Sequence, residues 1–305
     1  MRCGGGGDAR DRRSSVSGTK LHFERLHEGA AEAVPIVLLH GFTGDGTTWA
    51  AFADAWAAAD RRGAGPSLYA VDLVGHGRSP DPDDPATYRL EAQAASVCAA
   101  LEAQGIDRAV WLGYSMGGRV ALSAAVAHPD RVAALVLVST SPGIADDTLR
   151  AKRVAADELL AASVEADGIG PFVDYWARHA LFATQDALGP DHAEAMRAQR
   201  LGNRASAIAH TLRAAGAGAM TPLWERLGEL AMPVLVVSGA LDAKYTAIGR
   251  AMVEAIGAGG SHVVAGAGHA VQLEAADALA TLVRRWTEDR PPHDDISPRS
   301  PGTIR

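Results

Sequence analysis

The segment Gly113-Tyr114-Ser115-Met116-Gly117 centres a serine in a Gly-x-Ser-x-Gly turn, between a short apolar run (108–112) and an Ala-rich stretch (119–127) that stops before Pro129. A strand, a sharp turn and a helix in immediate succession form a nucleophile elbow, which lifts the serine hydroxyl to the top of a sheet. That hydroxyl is a poor base or nucleophile at neutral pH. It needs an imidazole to take its proton and a carboxylate to hold the imidazole's tautomer. In folds with this elbow the partners follow in the order Ser, acid, His. Asp242 stands shortly after the apolar run 234–238, and His269 stands in a Gly-rich loop after the next strand. Taken singly, Asp242 reads equally well as a helix N-cap and His269 as a surface loop residue; their joint order and placement at strand ends make Ser115, Asp242 and His269 the candidate catalytic set. The backbone N–H of Met116, next after the serine, and that of Phe42, in the loop after the first buried strand, are the expected oxyanion donors.

These residues require elements to carry them. The run 34–39 suits a strand buried on both faces and opens into His40-Gly41-Phe42-Thr43-Gly44. A helix over 49–59, a strand over 68–73, a helix over 90–104, the elbow unit and a strand over 134–139 follow. Strands near 234–238 and 262–265, a helix over 246–256 and a last helix to about 286 resume the alternation. Repeated βα units predict an α/β fold with a doubly wound, mostly parallel sheet. From 141 to 230 the strand signal is lost and helical spacing takes over, as expected of an inserted helical cap. The expected organisation is therefore a core of 19–140 and 231–287, a cap of 141–230, and disordered tails at 1–18 and 288–305. Of the other histidines, His128 falls at a helix end, His179, His192 and His210 fall in the cap, and His40 and His76 read as structural residues of Gly loops.

Composition excludes several classes. With 48% hydrophobic and 21% charged residues, 305 residues make an ordinary globular chain. A net charge of −7 and no basic block argue against a nucleic-acid partner. No apolar run is long enough for a membrane span, and none follows Arg12-Arg13 as an export signal requires. Two cysteines, Cys3 and Cys98, supply neither a disulfide framework nor a metal cluster, in keeping with the cytoplasm. No His/Cys pattern predicts a metal, and no GxGxxG predicts a dinucleotide cofactor.

Over about residues 20–287 the chain resembles the α/β-hydrolase superfamily, with His-Gly-Phe, Gly-x-Ser-x-Gly, Asp242 and His269 in register. Longer strings narrow the resemblance: Leu39-His40-Gly41-Phe42-Thr43-Gly44, Gly113 to Arg119, Ser141-Pro142-Gly143-Ile144 and Gly239-Ala240-Leu241-Asp242-Ala243-Lys244-Tyr245. These, with the cap strings Tyr175-Trp176, Leu181-Phe182-Ala183-Thr184-Gln185 and Leu212-Arg213-Ala214-Ala215-Gly216, are similar to the 2-succinyl-6-hydroxy-2,4-cyclohexadiene-1-carboxylate (SHCHC) synthases of menaquinone biosynthesis. The resemblance implies a cofactor-free lyase in which Ser115 is the base, and a small-molecule tricarboxylate as its partner. Three carboxylates call for charge-assisted donors, preferably arginines. Arg119 lies one helical turn after Ser115 and can face the same cavity. Arg153 and Arg200 match positions where the family binds substrate with cap arginines, although a cap arginine is more often a solvated one. Tyr114 and Trp176 are candidate pocket walls. Spacing alone leaves a second reading open, a capped hydrolase acting on an ester or on a carbon–carbon bond next to a ketone. It leaves the oligomeric state undetermined.

Overall fold

The computed structural model describes residues 19–60 and 63–289. The proposed tail at 1–18, with Cys3, and residues 290–305 of the one proposed at 288–305 lie outside the described residues. The elements begin with β1 (Phe23–His27) and β2 (Ile36–Leu39), followed by a 3-10 turn, α1 (Ala50–Ala59) and β3 (Leu68–Val71). Next come α2 (Leu90–Ala103), β4 (Ala109–Tyr114), α3 (Met116–Ala127) and β5 (Val132–Val138). Then α4 (Asp147–Asp167), α5 (Ile169–Ala177), α6 (Pro190–Leu201) and α7 (Ala205–Ala215) follow with no strand among them. The sheet resumes with β6 (Val234–Gly239), α8 (Ala243–Ile256), β7 (Gly260–Val264), the short α9 (Val271–Glu274) and α10 (Ala276–Asp289).

One seven-stranded sheet has the order β1-β3-β2-β4-β5-β6-β7. Every neighbouring pair is parallel except β1 with β3. Residues of β2, β4, β5 and β6 alternate between two cores, as a strand period of two requires. Val37, Leu39, Trp111, Leu135, Leu137 and Val236 pack with α2, α3 and α8. Ile36, Leu38, Leu112, Val136, Val138 and Val237 pack with α1 and α10, where Trp49, Phe52, Trp56, Val283 and Trp286 fill the layer. Burial on both faces explains why these strands read as continuous apolar runs.

The segment between β5 and β6 has its own core, in which Ala161 and Val164 of α4, Phe172 and Val173 of α5, and Ile208 and Leu212 of α7 meet. Polar contacts tie it to the loops at the ends of the parallel strands. Asn203 donates to the Thr43 carbonyl (3.0 Å), Gln199 to Asp45 (2.7 Å) and Arg204 to Asp81 (2.8 Å).

Four details differ from the sequence expectations. β1 was not foreseen, because an exposed edge strand held by backbone pairing carries no apolar run. Helix α3 begins at Met116 rather than at 119, since packing on β4 and β5 overrides the low helix propensity of Gly117 and Gly118. Helix α8 begins at Ala243 rather than 246, because the Asp242 carboxylate accepts from the Tyr245 N–H and caps it. The last helix runs to Asp289, so residues 288 and 289, read as tail, are helical, with Glu288 paired to Arg284 one turn earlier at 2.8 Å.

His40 and His76 are buried side by side with ring centroids 5.2 Å apart. Nδ1 of His40 donates to the Gly41 carbonyl and its Nε2 accepts from the Leu73 N–H, so the ring must be neutral. Burial, reinforced by its neighbour His40, depresses His76 to about 3. A group whose folded value lies below its unfolded one contributes its full stability above the unfolded value and loses it as pH falls toward the folded value. Stability to urea should therefore fall between about pH 6.5 and pH 3, with proton uptake by His76 on unfolding. His76→Gln should flatten that slope in urea titrations across this range, whatever its cost at pH 8.

Candidate active site

Ser115 has φ 50° and ψ −107°, a left-handed backbone that a non-glycine residue adopts only under constraint. Such strain costs about 1–3 kcal/mol and must be held by surrounding contacts. Here the Ser115 N–H donates to the Val138 carbonyl (2.9 Å) and the Thr140 hydroxyl donates to the Ser115 carbonyl (2.7 Å). The flanking glycines are needed for close approach. A Cβ on Gly113 would meet the Gly117 carbonyl oxygen at 2.4 Å, and one on Gly117 would meet the Leu39 carbonyl oxygen at 2.3 Å.

The other two members arrive from the ends of β6 and β7. A Cβ on Gly239 would collide with the Gly268 carbonyl oxygen at 2.1 Å, so the acid loop and the histidine loop pack backbone to backbone. The Leu241 N–H donates to the Ala267 carbonyl (2.9 Å), and the Glu274 carboxylate accepts from the N–H groups of Gly268 (2.6 Å) and Ala270 (3.1 Å). His269 is thereby fixed, 1% exposed, with Nδ1 2.7 Å from Asp242 Oδ2 and Nε2 3.2 Å from Ser115 Oγ. Because a carboxylate only accepts, Nδ1 carries the proton and Nε2 offers its lone pair to the serine O–H. Asp242 serves as N-cap through Oδ1 and as histidine partner through Oδ2, so both readings of it hold. Burial works against its charge, yet the hydrogen bonds from His269 and the Tyr245 N–H keep its carboxyl below the usual value.

Ser115 opens into a cavity of about 410 Å³ between the sheet and α4, α5 and α7. Arg119, Arg153 and Trp176 line it, as do Phe42 and Met116. Met116 is the first residue of α3, and the first N–H groups of a helix have no intrahelical acceptor. Arg119 has a buried Nη1 with no hydrogen-bond partner among the described residues, and burial lowers it to about 10. The lining residues that were not among the sequence candidates include Asp157, Tyr175, His179, Lys244 and Tyr245. Lys244 and Tyr245 were in view as part of the string after Asp242, and their position two and three residues past the acid was the available signal. The Tyr245 ring lies 4.5 Å from the His269 ring.

Two candidates fall elsewhere. Arg200 and Tyr114 line an adjoining space of about 20 Å³ with Phe182 and Gln185, which shares Phe42 with the larger cavity. Arg200 is 5% exposed, its Cζ is 5.0 Å from the Phe182 ring centroid, and its Nε has no partner among the described residues. Tyr114 instead packs against His269, centroids 5.4 Å apart. Among the described residues no group of three or more His, Cys, Asp or Glu is gathered as a metal site.

A family profile described as alpha/beta hydrolase fold matches residues 34–276. A Bacillus subtilis (strain 168) protein provisionally named an SHCHC synthase is 34% identical over 259 residues, 85% of this chain and 92% of its own. The SHCHC synthase of Salmonella agona (strain SL483) is 30% identical, covering 87% of this chain and 99% of its own. The solved structure of MenH from S. aureus superposes with a TM-score of 0.81 at 28% identity, covering 88% of this chain and 98% of that one. The strained serine, its histidine and acid, and the helical segment over them thus sit on a shared framework, and the chain belongs to the α/β-hydrolase-fold family, among the SHCHC synthases.

Proposed function

We propose that this chain is a carbon–oxygen lyase that eliminates pyruvate from 2-succinyl-5-enolpyruvyl-6-hydroxy-3-cyclohexene-1-carboxylate to give SHCHC, a step of menaquinone biosynthesis. The observation that carries this reading from fold to substrate is the cavity's charge. Arg119 presents a buried, unpaired guanidinium nitrogen one turn from Ser115, with Arg153 and Lys244 on the same walls. A desolvated guanidinium nitrogen with no partner among the described residues suits a polyanion and is costly for an apolar ester. Arg200, the remaining cation of the set, waits behind Phe42 and Phe182.

The chemistry follows from the triad's polarity. Ser115 Oγ removes the ring proton beside the succinyl ketone while its own proton passes to His269 Nε2, and Asp242 stabilises the imidazolium. The electron pair released at ring carbon 2 forms a double bond to carbon 3, the 3,4 double bond moves to 4,5, and the bond from carbon 5 to the enolpyruvyl oxygen breaks. The pyruvate enolate takes up the proton. Charge on the ketone oxygen is met by the N–H groups of Phe42 and Met116. No water is consumed and no cofactor is used. The proposal keeps the cytoplasmic setting that the sparse cysteines suggest; no described helix is long and apolar enough to cross a membrane.

The same triad could carry acyl transfer, which supports a capped hydrolase as the second reading. Intact-protein mass spectrometry of enzyme quenched during turnover separates them. The lyase shows an unchanged mass, releases pyruvate together with diene absorbance, and incorporates no oxygen-18 from labelled water during the reaction. An adduct on Ser115 would establish the hydrolase instead. In steady-state assays of pyruvate release, Ser115→Ala, Asp242→Asn and His269→Ala should each lower kcat by about 10²–10⁴, and a double variant should lose little more than the worse single one. Arg119→Ala should raise KM for the trianion by the equivalent of about 1.5–3 kcal/mol, as expected for loss of a charged hydrogen bond, while leaving turnover of a neutral p-nitrophenyl ester little changed.

A further inference from the structure

A carboxylate inside a cavity built for polyanions needs a reason to be there, because it repels what the cavity must hold. Asp157 is such a residue. It lies on α4, is 5% exposed and lines the same cavity as Ser115 and Arg119. Both of its oxygens accept from one atom, Nε of Arg153, at 2.8 and 2.9 Å. No described residue accepts from the terminal nitrogens of Arg153, so the fork that recognises a carboxylate bidentately is left open. The backbone just past the end of α7 closes over Asp157, since a Cβ on Gly216 would meet Oδ2 at 2.5 Å.

An ordinary helix-stabilising pair does not account for this. Arg before Asp at i,i+4 is the weaker order on a helix, and such a pair belongs on a solvated face, whereas the Asp157 side chain is only 7% exposed. Burial pushes the Asp157 carboxyl up, against the pull of Arg153 and Arg119, so its charge is kept at a cost in desolvation. What the contact does supply is order. An arginine loses rotamer freedom when it binds a ligand, and one already clamped at Nε has lost much of it beforehand.

Resting on the reaction proposed above, we infer that Asp157 is the positioning residue for Arg153: it clamps the guanidinium by its Nε edge so that the two terminal nitrogens meet a substrate carboxylate. The contact itself needs only an acceptor. Asp157→Ala should raise KM for the trianionic substrate about tenfold or more with a much smaller change in kcat. Asp157→Asn, which still offers an oxygen to Nε, should bring KM back to within about threefold of the wild type. Arg153→Lys, which keeps the charge and lacks Nε, should match Asp157→Ala even if the latter folds poorly. In an Arg153→Ala background, Asp157→Ala should add no further rise. Equal factors in both backgrounds, an unmoved KM in Asp157→Ala, or no rescue by Asn would overturn the inference. Citrate titrations followed by tryptophan fluorescence read the same clamp without turnover, and a loss of citrate affinity in Asp157→Ala but not in Asp157→Asn is expected. A wild type that binds citrate and releases no pyruvate would sink the reaction and leave the clamp standing; equal citrate affinity in wild type and Asp157→Ala would sink the clamp.

Discussion

The site depends on Ser115 being held at φ 50°, a conformation the residue does not choose for itself. Its backbone is fastened to β5 through Val138 and to the following loop through Thr140, and the helix that follows lies against the carbonyls of Leu39 and His40. Those contacts are possible only because 113 and 117 carry no Cβ. The consequence reaches beyond one dihedral. The same close approach brings the first turn of α3 against Leu39 and His40, next to the loop that carries Phe42.

Around that fixed point the two carboxylates of the site have separate duties assigned by their surroundings. Asp242 gives one oxygen to the Tyr245 N–H and the other to His269, so its charge is compensated within the triad and it has nothing left to offer a ligand. Asp157 faces the cavity, hydrogen-bonded by Arg153 and drawn by the charge of Arg119 as well. Arg119 has a buried Nη1 with no hydrogen-bond partner among the described residues, and its lowered value is the mark of a cation kept dry. A cavity so arranged carries more positive than negative side chains, Arg119, Arg153 and Lys244 against Asp157.

The helical segment is more than a lid by position. It contributes Arg153, Trp176 and His179 to the cavity, and its α6 to α7 turn is pinned to the core through Gln199, Asn203 and Arg204. Phe42 couples the two layers directly, packing edge-on against Phe172 and Trp176, with centroids 6.0 and 5.3 Å away. Phe42 also lines both the Ser115 cavity and the Arg200 space.

Much of this was legible in the chain. Apolar runs buried on both faces, the Gly-x-Ser-x-Gly spacing, and an acid and a histidine each just past a strand are local patterns, and local patterns determined the order of βα units and singled out Ser115, Asp242 and His269, which the structure brings within hydrogen-bond distance of one another. Arg119 was legible for the same reason, because one turn of helix after Ser115 allows a single side of approach. The cap was not. Its arginines all sit in helical text where exposed and inward faces look alike, and the sequence could not tell Arg153, which lines the cavity, from Arg200, which lies behind Phe42. Nor could it show that Asp157 belongs to the site, since an acid four residues after an arginine is the ordinary pattern of a solvated helix. Which face of α4 turns inward is decided by how Ala161 and Val164 pack on Ile208 and Leu212, some fifty residues away in the chain. Contacts of that separation leave no periodic trace at either end, so only the tertiary structure could decide them.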